Sequence, residues 1–140
     1  MAHEVIISGF GGQGVMSMGQ LLTYAGMLEG KNVSWLPSYG PEMRGGTANC
    51  SVIVADEMVG SPIVTEATAV IAMNLPSLEK FEKTVLPKGL LIINSSLIDS
   101  KATREDIDVF YVPANEIAYE LGNFRVANMV MLGAYLEKTK

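Results

Sequence analysis

The chain has 140 residues, 49% of them hydrophobic and 18% charged, with a net charge of −5 at pH 7, one cysteine and one histidine. Such a length buries about two thirds of the unfolded chain's surface in one domain, here 1–140, without staples. An acidic balance with no basic cluster excludes sequence-independent nucleic-acid binding, and a lone Cys50 and lone His3 exclude a four-cysteine iron–sulfur cluster, a structural zinc or a disulfide within this chain.

No apolar run approaches the ~20 residues of a membrane span, and the opening Met-Ala-His-Glu lacks a signal-peptide flank, so a cytoplasmic protein without membrane insertion is expected. A surface so thinly charged predicts apolar area that meets a partner, and therefore a subunit rather than a free monomer.

Val5–Val15 organises the chain. Three aliphatic residues run into Gly9, Gly11 and Gly14 on the GxGxxG spacing, which predicts a strand, a tight turn and a helix start. Glycine permits positive φ and close approach of a ligand, and the first N–H groups of the helix then face an anion. The helix should span about Gly14 to Leu28, with Val15, Met18, Leu22 and Ala25 as its apolar stripe, Gly19 and Gly26 letting it sit close to the sheet, and Gly30 as its stop.

Asn32–Leu36 reads as the second strand, placed beside the first in a doubly wound order. The next ten residues, Pro37–Gly46, hold three glycines, two prolines and Arg44, and no crossover helix can be written through their first half. This loop and the glycine loop should rim one crevice, where a guanidinium suits bidentate phosphate or carboxylate contacts. Thr47–Ala55 is a strand, and Asp56-Glu57 suggests a turn into Met58–Val64, an antiparallel excursion that makes the sheet mixed. Cys50, within that strand, reads as a buried structural thiol.

Ala67–Met73 and Leu90–Asn94 are buried strands, with a short helix between them through Lys83. They place Asn74, Ser95 and Ser96 at strand ends, as ligand contacts or as caps and turn formers. Lys101–Asp108 is a solvated connection, Val109–Val112 the last strand, and Asn115 a candidate cap for the helix with Ile117, Ala118 and Leu121. The closing helix, about Arg125 to Glu137, leaves almost no polar face, so something should cover it; a homodimer of the isolated chain stays open. The nine methionines read as adaptable core and interface filling. The fold class is thus α/β, a Rossmann-like three-layer domain with a mixed, mostly parallel sheet and a β-hairpin excursion.

A dinucleotide-binding unit needs an acid at the end of the second strand, about 20 residues beyond its glycines, and this chain offers Ser34, Trp35 and Ser38. No Gly-Lys-Ser/Thr completes a phosphate loop, and no nucleophile has a convincing base. Hard chemistry must come from a cofactor or another chain.

Gly9-Phe10-Gly11-Gly12-Gln13-Gly14-Val15, Ser38-Tyr39-Gly40-Pro41-Glu42-Met43-Arg44-Gly45-Gly46, and Asn123 with Arg125-Val126-Ala127-Asn128-Met129 together resemble the gamma subunit of the 2-oxoacid:ferredoxin oxidoreductases, over nearly the whole chain and in order. The resemblance implies an enzyme that oxidatively decarboxylates a 2-oxoacid with coenzyme A, giving acyl-CoA, carbon dioxide and reduced ferredoxin. It places thiamine diphosphate and iron–sulfur clusters on partner subunits, and implies no activity for this chain alone. Carried onto this sequence, it makes Gly9, Gly11, Gly12, Gln13, Gly14, Tyr39, Arg44, Gly45, Gly46 and Asn128 the substrate- or CoA-binding residues, with Arg44 meeting an anionic group. It leaves branched-chain 2-oxoacids and 2-oxoglutarate both open. The sequence ends at Lys140, where family members usually continue, so a C-terminus truncated relative to the family is a further expectation. The other readings are a free-standing nucleotide-binding regulatory module and a purely structural assembly subunit.

Overall fold

A computed structural model describes residues 2–10, 14–38, 47–60, 64, 66–99, 101–122 and 126–139. Six strands form one sheet in the order β2-β3-β1-β4-β5-β6. In the chain they run β1 (Ala2–Phe10), β2 (Asn32–Ser38), β3 (Thr47–Ala55), β4 (Ala67–Ala72), β5 (Val85–Asn94) and β6 (Asp108–Val112). β4 pairs parallel with β1 and β5, and β5 parallel with β6, whereas β3 is antiparallel to both β1 and β2. Five strands therefore point one way and β3 the other.

Burial on both faces explains the aliphatic runs. Val5, Ile7, Ile71 and Ile92 face α1 (Val15–Leu28), α3 (Ala114–Glu120) and α4 (Ala127–Thr139), while Ile6, Val70, Leu91 and Ile93 join the layer of α2 (Leu75–Phe81). Alternate residues of one strand thus feed two cores, as a pleat of period two requires. A fully buried isoleucine such as Ile7 or Ile92 contributes roughly 1.5–3 kcal/mol.

Helix α1 follows the predicted bounds. Val15, Met18 and Leu22 are buried, but Gly26 takes the inward place expected of Ala25, which is exposed. Its end is a Schellman motif: Gly30, at φ 77°, donates to the Met27 carbonyl, and the Lys31 N–H reaches the Gly26 carbonyl.

Four expectations are corrected. β2 does not lie beside β1; β3 separates them, and β2 forms the sheet edge, where the missing N–H of Pro37 is tolerated. The antiparallel partners of β3 are β1 and β2, not Met58–Val64, and Met58–Gly60 and Val64 belong to no strand. β5 begins at Val85 rather than Leu90: Leu86–Gly89 bulges out opposite Thr68, so Pro87 and Gly89 interrupt the ladder without ending the strand. Asn115 lies within α3 and is not its cap, because Pro113 occupies the N-cap position.

Candidate functional site at the carboxyl end of the sheet

From β1 the chain turns towards the β2 edge, and from β4 it builds outward to β6. β1 and β4 are neighbours, so the crevice at which strand order reverses lies between their carboxyl ends. The glycine turn leaves β1 at that crevice. Gly9 is the penultimate residue of β1, paired with Ala48, and Gly14 caps α1 at φ 76° without a side-chain contact to the helix. The long loop expected to share this rim has its flanks there: Ser38, at the end of β2, is level with Asn49 and through it with Ser8, while Thr47 opens β3 opposite Phe10. Gly11, Gly12, Gln13, Tyr39, Arg44, Gly45 and Gly46 lie outside the described residues.

Of the predicted residues that are described, the fold brings Gly14 and Asn128 together from opposite ends of the chain. Asn128 is 9% exposed and donates from Nδ2 to the Gly14 carbonyl at 3.4 Å. A Cβ on Gly14 would fall 2.3 Å from that same nitrogen, so glycine is required there by both its positive φ and its neighbour. The amide of α4 thereby braces the end of the glycine turn.

Around this point the fold concentrates buried polarity. The buried polar side chains among the described residues are Ser8, Asn49, Asn74, Ser77, Asn94 and Asn128, and each stands at or beside this end of the sheet. Ser8 Oγ donates to Ser77 Oγ at 2.7 Å, tying α2 to β1. Asn94 donates to Asn115 Oδ1 at 2.8 Å and accepts from the N–H groups of Ser96 and Ala114, so it knits the exits of β5 and β6. Asn74 caps α2, its Oδ1 accepting from the Ser77 N–H at 3.0 Å. Sequence reasoning missed Ser8, Asn49, Ser77 and the role of Asn94. The available signal was a hydroxyl or amide interrupting an apolar strand near its end.

Cys50 is fully buried, donates to the Val15 carbonyl at 3.6 Å and is pushed up to about 12, chiefly by desolvation, with the Trp35 indole and the Gly19 backbone opposing. Such a thiol is neither nucleophile nor ligand at neutral pH. Among the described residues no group of three or more His, Cys, Asp or Glu side chains could hold a metal ion, and no helix is long and apolar enough to cross a membrane. Two cavities, of about 330 and 380 Å³, share His3, Tyr135 and Thr139 and lie at the opposite, amino-terminal end of the sheet.

A glycine turn on a central strand, a strand-order reversal beside it and buried amides around both define a Rossmann-like α/β domain with a candidate site at the carboxyl rim. The chain belongs to the pyruvate ferredoxin/flavodoxin oxidoreductase family, whose model matches residues 4–140. It is 45% identical over 133 residues to the ketoisovalerate oxidoreductase subunit VorA of Methanothermobacter marburgensis, covering 95% of this chain and 28% of that one. It therefore spans little more than a quarter of that relative. With the 2-oxoglutarate synthase subunit KorC of Methanocaldococcus jannaschii it shares 32% identity, over 99% of this chain and 76% of that one. The gamma subunit of a keto/oxoacid ferredoxin oxidoreductase from Geobacter sulfurreducens has the same fold, with TM-score 0.83 and 29% identity over 98% of this chain and 77% of that one.

Proposed function

We propose that this chain is a single gamma-type domain, 1–140, of a cytoplasmic, thiamine diphosphate-dependent 2-oxoacid:ferredoxin oxidoreductase, which converts a 2-oxoacid, coenzyme A and oxidised ferredoxin into acyl-CoA, carbon dioxide and reduced ferredoxin. The observation that carries this reading is the gathering of buried amides and hydroxyls at the glycine-turn end of the sheet, with Asn128 braced on Gly14. Such a rim can bind and orient a polar ligand, and its described residues bring no nucleophile, base or electron carrier. Thiamine diphosphate and the iron–sulfur clusters, which supply decarboxylation and electron transfer, accordingly belong to partner subunits, since one buried thiol gives no cluster a home. Gly9, Gly11, Gly12, Gln13, Gly14, Tyr39, Arg44, Gly45, Gly46 and Asn128 form the CoA- and substrate-facing surface. Greater identity to the ketoisovalerate subunit than to the 2-oxoglutarate subunit favours a branched-chain 2-oxoacid.

The test is co-purification of the chain with its partners, followed by a 2-oxoacid- and CoA-dependent assay of the assembled complex. Activity should require the partners, and Arg44→Ala should abolish CoA-dependent turnover in a complex that still forms. Unchanged turnover would remove Arg44 from the site. Recovery of the chain without thiamine- or cluster-carrying partners would overturn the subunit reading itself.

A further inference from the structure

Asn74 is 2% exposed, and its Nδ2 has no hydrogen-bond partner. A buried amide N–H₂ left unmatched costs roughly 1–3 kcal/mol, so one that persists calls for a physical reason. The cap does not supply it, because the cap uses only the oxygen, which accepts from the Ser77 N–H. Nor does side-chain neglect at this end of the sheet: Ser8, Ser77 and Asn94 all find partners. The Trp35 indole N–H, also without a conventional partner, differs because it faces the Cys50 thiol.

Position makes Asn74 distinctive. Ser8 pairs with Ala72, and the Met73 N–H still bonds to the Ser8 carbonyl at 2.8 Å. Continuing that parallel register puts Asn74 level with Phe10, where β1 gives way to the glycine turn. Asn74 thus lies two residues beyond the end of β4, at the strand-reversal crevice, with Gly14 and Asn128 on the other helical layer.

We propose that Asn74 is a ligand-contact residue, whose Nδ2–H₂ donates to a phosphoryl oxygen of the ligand in this crevice while its Oδ1 holds the cap. One amide serves both ends: the fold fixes the oxygen at the cap and leaves the nitrogen without a protein partner. A phosphoryl group is the chemistry suited to a glycine turn opening a helix. The inference rests on the CoA-binding reading above and adds to it a donor from the junction of β4 and α2 that none of the glycine-loop or Arg44 assignments contains.

Two variants separate the roles, since aspartate and serine both retain a cap acceptor for the Ser77 N–H and lack the amide N–H₂, serine keeping only the single O–H of the oxygen that holds the cap. In the assembled enzyme, Asn74→Ser should raise the KM for CoA about 10-fold, and Asn74→Asp considerably more through charge repulsion. The KM for the 2-oxoacid and kcat should stay near wild type. An unchanged KM for CoA in both variants overturns the proposal, and an equal rise in both overturns the phosphoryl assignment. If the wild-type complex proves indifferent to CoA, the functional reading fails. The contact is then judged by adding inorganic pyrophosphate to the nitrogen-15-labelled full chain. A shift of the side-chain amide signal that Asn74→Asp removes supports it, and an unmoved signal overturns it.

Discussion

Cys50 shows how one side chain's surroundings become a property of the whole equilibrium. Its thiol is raised from an ordinary 9.0 to about 12 because the ionised form would lose water on every side. Between those values the folded chain keeps a proton that the unfolded chain releases, so the folded state binds more protons and stability falls as pH rises. The contribution is intact below about pH 8.5 and is lost progressively above pH 9, at up to ~1.4 kcal/mol per pH unit. Tyr135, raised by burial from 10.0 to about 12, adds a similar loss only above pH 10. Denaturant unfolding at pH 8 and pH 10 should therefore show wild type losing about 1 kcal/mol more than Cys50→Ala over that interval. Parallel losses in the two proteins would mean that the thiol titrates normally in the fold.

At the scale of elements, the close approach of α1 to β2 and β3 depends on two glycines. A Cβ on Gly19 would lie 2.5 Å from Cys50 Sγ and 2.7 Å from Trp35 Nε1, and one on Gly26 would lie 2.9 Å from both Val33 and Val54. Gly133 in α4 is exposed and has nothing within 4 Å of the same position. One substitution should then act with opposite signs. Gly133→Ala gains up to ~1 kcal/mol of helix propensity, whereas Gly19→Ala loses a net 1–2 kcal/mol or so, because overpacking a core by a methyl outweighs that gain. Thermal melts of the two variants against wild type read the difference directly, and a stabilised Gly19→Ala would refute the close-packing account. These glycines were legible in the sequence because they interrupt an apolar stripe of helical period. Strand order was not: β2 and β3 both read as strands, and nothing local says which one β1 selects. Pro37 was the usable hint, since a missing N–H suits an edge. The glycine turn and Asn128 were likewise singled out in the sequence, and the fold brings Gly14 and Asn128 into contact. The free nitrogen of Asn74 was hidden, because Asn-Leu-Pro-Ser announces a cap and the sequence does not say what the other half of the amide does.

Over the whole molecule, polarity is divided between the two ends of the sheet. Buried amides and hydroxyls gather where β1 and β4 finish, while the two cavities and the only non-glycine positive φ among the described residues lie at the other end. That residue, Lys88, sits at φ 68° in the bulge of β5, with its N–H held by the Asp106 carbonyl at 2.7 Å. A side chain in the left-handed region costs roughly 1–2 kcal/mol, and glycine avoids that cost. Lys88→Gly should therefore stabilise the chain by about 1 kcal/mol after the entropy lost in fixing a glycine is subtracted. The Asp106 hydrogen bond is a backbone contact and survives the change. Because β5 separates this bulge from the glycine-turn rim by the length of a strand, the KM for CoA proposed for the assembled complex should stay at its wild-type value while the melting temperature rises. A stabilised variant with altered CoA dependence would mean that the two ends are coupled through β5. A destabilised one would mean that the Lys88 side chain makes contacts in its cavity that outweigh its backbone strain.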